Sequence, residues 1–87
     1  MLIEKISLIA ATQTKHGYSA EIELETSDGF GFCGPVDFTF FSDGDDYKWA
    51  YDLGFLKTFV NTDEDKTFVH GVFTDPDFIA DVRQHAA

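Results

Sequence analysis

Lysine and arginine are scarce in this chain: six, against sixteen aspartates and glutamates in 87 residues, for a formal net charge of −10. A field of that sign repels nucleic acid and anionic membrane and attracts basic protein surfaces. The shortage is uneven. No Lys or Arg lies between Lys15 and Lys48, a stretch that holds Glu21, Glu23, Glu25, Asp28, Asp37, Asp43, Asp45 and Asp46, whereas from Lys48 onward seven acids face four bases. Cysteine is nearly absent. The single Cys33 excludes an internal disulfide, and with it a stapled secreted scaffold, so a cytoplasmic protein is expected. Proline occurs only at Pro35 and Pro76. No apolar run approaches the roughly 20 residues of a membrane span. The segment from Met1 to Ala11 is broken by Glu4 and Lys5, too mixed for a signal peptide, and reads as a first strand.

Aromatic residues are plentiful. Ten Phe, three Tyr and Trp49 bring enough apolar area to build a core in a chain that folds as one domain, residues 1–87. Small domains need such a core, because they bury only about 60% of their unfolded surface.

Hydrophobic periodicity sets the expected elements. Residues 2–12 are rich in Ile and Leu and alternate imperfectly, as a strand, and Lys15-His16-Gly17 forms a turn. Residues 18–26 alternate cleanly: Tyr18, Ala20, Ile22, Leu24 and Thr26 on one face, Ser19, Glu21, Glu23 and Glu25 on the other. Ser27-Asp28-Gly29 is a tight turn into residues 30–41, where Phe30, Phe32, Val36, Phe38 and Phe40 share one parity and Cys33, Asp37 and Thr39 the other. Gly34-Pro35 predicts a bulge or bend there and an edge position. Ser42 to Asp46 reads as a helix start, with a helix through Tyr47, Ala50 and Tyr51 closing at Gly54. Residues 55–61 then read as a strand, 61–65 as a hairpin loop and 67–73 as its second strand. Thr74-Asp75-Pro76-Asp77 opens a last helix whose Phe78, Ile79 and Val82 face the core. The expected fold class is α+β: a small antiparallel sheet in βββ-α-ββ-α order with two short helices packed on one face.

The residues offer no catalytic or metal-binding motif. His16, His70 and His85 are isolated, without the i,i+3 or i,i+4 pairing of helical metal sites, and the acidic turns lack the glycine and glutamate of a calcium loop. Cys33 has no basic neighbour to activate it and reads as a buried, inert thiol. Glu21, Glu23 and Glu25 lie on an open strand face rather than in the pocket that carboxylate catalysis needs. The glycines around Phe30 do not precede a helix, so no phosphate-cradling loop is expected. Exposed aromatics come without interleaved bases, which argues against nucleic-acid binding. No enzyme activity and no cofactor are therefore expected.

The feature that points to a function is the acidic row. Strand residues two apart project on the same side about 6.8 Å from one another. Glu21, Glu23 and Glu25 thus form an evenly spaced anionic line, which Asp28, Asp37, Asp43, Asp45 and Asp46 extend. Such a line stands in for a nucleic-acid backbone; equally, a solvated acidic face keeps a Phe-rich domain soluble. In size, acidity and compactness the chain resembles the small inhibitors carried by phages and mobile elements, anti-CRISPR proteins and nucleic-acid mimics among them, and also acidic immunity proteins that neutralise nuclease toxins. The resemblance implies a protein-binding inhibitor of viral or mobile-element origin that occludes a basic groove of a nuclease or CRISPR effector. An immunity or adaptor protein for a toxin is the alternative, and a small ligand-binding module or enzyme is a third.

Overall fold

In the computed structural model, which describes residues 2–43 and 46–87 and the backbone alone at residues 42, 43, 46 and 47, four strands form one antiparallel meander. They are β1 (Ile3–Gln13), β2 (Gly17–Thr26), β3 (Gly31–Asp43) and β4 (Asp46–Asp52), each hydrogen-bonded to the next in the order β1-β2-β3-β4. A 3₁₀ segment (Gly54–Phe59) and two helices, α1 (Asp63–Phe73) and α2 (Pro76–Ala86), follow. The expected α+β class holds: a small antiparallel sheet with both helices on one face.

The alternation of β2 sets the core. Ala20, Ile22 and Leu24 are fully buried on the inner face, where Val36 and Phe38 of β3 join them. Leu56, Val69, Phe73, Ile79 and Val82 close the core from the helical side. Phe73 meets Phe38 edge to face, with ring centroids 5.7 Å apart. Phe78 lies against both rings but is only half-buried, so Ile79 and Val82 make the tighter docking of α2.

The imperfect pattern of β1 has a structural cause. Register shifts fall between Ile3 and Lys5 and between Leu8 and Ala10, so β1 carries one extra residue at each place. Each bulge reverses the parity, and Ile3, Ile6, Leu8 and Ala11 all still pair with inward residues of β2. Bulges also blunt an edge strand against pairing with other chains.

Several expectations are corrected. β3 has no bulge against β2: the register runs without a break from Gly17↔Thr39 to Glu25↔Gly31. β3 is also interior, although β4 pairs with it only from Asp37 onward, so Pro35 sits where that neighbour has ended. Gly34 serves packing instead: a Cβ there would stand 2.6 Å from the Phe55 ring and 3.0 Å from Leu56. Residues 47–51 are strand, not helix. Trp49 and Tyr51 face inward opposite Phe40 and Phe38, and Lys48, Ala50 and Asp52 face outward. Their polar ends tie β4 to α1, because Trp49 Nε1–H donates to the Phe73 carbonyl at 2.7 Å and the Tyr51 hydroxyl lies 2.8 Å from His70 Nδ1. Residues 55–61, expected as strand, are largely the 3₁₀ segment, whose Phe59 stacks on Phe32 at 4.0 Å.

Residues 63–73, expected as a loop and a strand, are helix α1. Thr62 is the N-cap, its hydroxyl accepting from the Asp65 N–H, and Asp63, Glu64 and Asp65 fill the positive first turn. Asp65, Val69 and Phe73 form the buried stripe, four residues apart. Asp65 is an acid at 3% exposure, and its Oδ1 accepts from the Ile3 N–H at 2.9 Å, joining α1 to the start of β1. α2 begins as expected, with Asp75 as cap and Pro76 at its first turn. No helix among the described residues is long and apolar enough to cross a membrane.

Candidate interaction face

The helices cover one side of the sheet and leave the other open. Glu21, Glu23 and Glu25 stand on the open side, flanked by Ala10, Ser7 and Lys5 of β1 and by Pro35, Cys33 and Gly31 of β3. Apart from Lys5 these neighbours are short, so the carboxylates project above them. Glu21 and Glu25 are exposed and Glu23 is half-buried. From Glu21 to Glu25 the row spans about 14 Å at strand spacing.

Asp37 belongs to the same face. It pairs with Ser19 on one side and Asp52 on the other, which adds a transverse pair of acids to the row. Lys5 and Lys48 also point outward, on the two edge strands at diagonally opposite corners. Asp28 lies exposed in the β2–β3 turn, beyond the Glu25 end of the row. That turn is fixed by Gly29 at φ +88°, by the Gly29 N–H donating to the Thr26 carbonyl at 3.1 Å, and by the Phe30 N–H donating to Thr26 Oγ1 at 3.2 Å.

Asp43 and Asp46 pair at the far end of β3 and β4. Their side chains, and Asp45 altogether, lie outside the described residues. The glutamates and Asp28 thus occupy one end and the middle of the face. Asp52 does not stand out in the sequence when residues 47–51 read as a helix; the alternation of Trp49 and Tyr51 with Lys48, Ala50 and Asp52 is the signal for it.

Cys33 is exposed on this face rather than buried. Its thiol donates to Glu23 Oε2 at 3.6 Å. Partial desolvation, then that hydrogen bond, then the charges of Glu23 and Glu21 all push the thiol pKa up. The thiolate is therefore disfavoured, and Cys33 is a poor nucleophile for electrostatic reasons. No group of three or more His, Cys, Asp or Glu among the described residues is arranged to hold a metal ion. No family model, curated protein or solved structure matches the chain.

Proposed function

We propose that this protein is a non-enzymatic, protein-binding inhibitor that presents its open sheet face to the basic groove of a nucleic-acid-handling protein. The observation that supports this reading is the placement of Glu21, Glu23, Glu25, Asp37 and Asp52 on one helix-free face, with mostly small side chains between them and Lys5 and Lys48 at two corners. A rigid sheet fixes the spacing of these residues, so no backbone ordering is needed when they meet Lys or Arg. Each such meeting is a charge-assisted hydrogen bond, and the field of the whole face accelerates encounter with a cationic partner. A groove built for phosphates would accept the row as a substitute backbone and be blocked to its own ligand.

The test uses a DNA column loaded with cell lysate. The wild-type protein, applied at low salt, is expected to displace a subset of nucleic-acid-binding proteins, and the displaced species are identified by mass spectrometry. The Glu21→Gln, Glu23→Gln, Glu25→Gln triple variant keeps shape and removes charge, and it is expected to displace far less. Moderate salt should weaken the wild type towards the variant. Equal displacement by the two proteins at both salts would refute the role of the row.

A further inference from the structure

The cations that the sequence scatters are partly gathered by the fold. The β1–β2 turn carries Lys15 and His16, and the last turn of α2 carries Arg83; together with Gln13, Tyr18 and Phe40 they line one cleft of about 650 Å³. That volume lies within the range of small-molecule sites, about 300–1,000 Å³. No Asp or Glu among the described residues lines the cleft, in a chain with sixteen of them.

The cleft is held rigidly. The Thr14 N–H donates to the Gly17 carbonyl at 2.9 Å, and the Phe40 N–H donates to the His16 carbonyl at 2.9 Å, tying the turn to β3. Gly17 lets the turn close, because a Cβ there would stand 1.9 Å from the Phe38 carbonyl oxygen. Arg83 is positioned by an aromatic ring rather than by an acid. Its guanidinium carbon sits 5.0 Å from the centroid of Phe40, which Tyr18 supports edge-on at 5.5 Å. Among the described residues neither Arg83 nor Lys15 forms an ion pair with a carboxylate. A guanidinium held over a ring, with no carboxylate partner among the described residues, keeps N–H donors for an oxyanion, which it recognises by paired hydrogen bonds.

We propose that this cleft binds a small phosphomonoester, with Arg83 and Lys15 on the phosphate, His16 as an additional donor, and Tyr18 with the edge of Phe40 against the organic group. A single phosphate suits the site better than a polyanion. The local cations lie beside it, while the net charge of −10 repels anything whose charge extends beyond the cleft. This inference is independent of the acidic face, which lies on the other side of the sheet.

The probes are phenyl phosphate, inorganic phosphate and phenol, titrated at constant ionic strength into labelled protein and followed by NMR of the backbone amides and the arginine side chain. The expected result is a saturable shift confined to Lys15, His16, Tyr18 and Arg83, tighter for phenyl phosphate than for inorganic phosphate and absent for phenol. Arg83→Gln should weaken phenyl phosphate by about 10- to 100-fold, the usual range for losing a charged hydrogen bond. The Lys15→Gln, His16→Gln variant lies in the exposed turn, leaves the core untouched, and should weaken binding at least several-fold with the fold intact. Shifts that fail to saturate, that spread over the acidic face, or that are equal in wild type and both variants overturn the proposal. So would inert phosphates combined with concentration-dependent self-association that Arg83→Gln abolishes, because the cleft would then be receiving the carboxylates of a second copy.

Discussion

Replacing Asp65 by alanine removes the side chain whose hydrogen bond joins the N-terminus of α1 to the buried start of β1. The Ile3 N–H donates to Asp65 Oδ1 at 2.9 Å, and Asp65 is 3% exposed. Truncation leaves that N–H buried without an acceptor, which costs about 1–3 kcal/mol. It also removes a negative charge from the first turn of a helix, worth about 0.3–1 kcal/mol. The sum is about 1–4 kcal/mol, a large share of the 5–15 kcal/mol typical of a folded domain. At this chain length the melting temperature should fall by on the order of 5–30 °C. Asp65→Asn separates the two contributions, because an amide oxygen still accepts from Ile3 while the charge is gone; its cost should stay near 1 kcal/mol. Urea unfolding followed by Trp49 fluorescence measures both variants, and hydrogen exchange at the Ile3 amide reports the bond directly. If Asp65→Ala lay within about 0.5 kcal/mol of wild type with Ile3 still protected, the bond would not anchor the sheet to the helix.

Other predictions rest on separate observations. Gly71 lies inside α1, and a Cβ there would meet nothing within 4 Å, so Gly71→Ala should stabilise the domain by about 0.5–1 kcal/mol in urea unfolding; a destabilised variant would show that the glycine has a packing role. Cys33 has a raised pKa, so its thiolate fraction at pH 8 is lower than that of a free cysteine, and iodoacetamide should react with it more slowly. Glu23→Gln removes one charge that raises the pKa and should speed that reaction, and an unchanged rate would remove Glu23 from the explanation. Trp49→Phe keeps most of the ring burial and loses the bond to the Phe73 carbonyl, so it should cost about 0.5–1.5 kcal/mol beyond packing changes, measured by thermal unfolding.

Much of the sheet was legible because period two leaves little ambiguity where it is strict. β2 alternates without exception, and the outward placement of its glutamates follows from that alone. β1 was harder to read because each of its bulges reverses the parity, which makes an ordered strand look irregular. The segment from Tyr47 to Asp52 satisfies two periods: Tyr47, Ala50 and Tyr51 fit a helical face, while Trp49 and Tyr51 fit a strand. The choice is made by tertiary structure, since Phe38 and Phe40 of β3 offer a paired partner to each inward ring. α1 was hidden by Gly71 and by the β-branched Thr67, Val69 and Val72, all weak helix formers. Its Thr62 cap and its buried stripe outweigh that propensity. Cys33 shares its parity with Asp37 and Thr39, which puts it outside; the general tendency of cysteine to be buried points the other way, and here strand parity wins. The cleft cations were not legible at all, because Lys15 and Arg83 come from opposite ends of the chain and meet only through the contact of α2 with the turn end of the sheet.

The separation of charge across the sheet has a thermodynamic consequence. If all the scarce bases lay among the outward acids, as Lys5 and Lys48 do at two corners, surface ion pairs would neutralise the face while contributing about 0–1 kcal/mol each to folding. Instead Glu21, Glu23, Glu25, Asp37 and Asp52 face one way, and Lys15 and Arg83 line a cleft with Tyr18 and Phe40, two rings of the inner, helix-bearing side. Exposed charges more than about 8 Å apart are largely screened at physiological ionic strength, so the two surfaces act on their surroundings almost independently. A basic partner approaching the open face meets the acids, and a small anion entering the cleft meets the cations. Folding draws little stability from either set. The stability resides in the apolar layer between sheet and helices, with Asp65 and Trp49 satisfying polar groups at its margin. Charge on both surfaces is therefore open to substitution with little effect on the fold, which makes the glutamate row and the cleft separately testable by charge-removing variants.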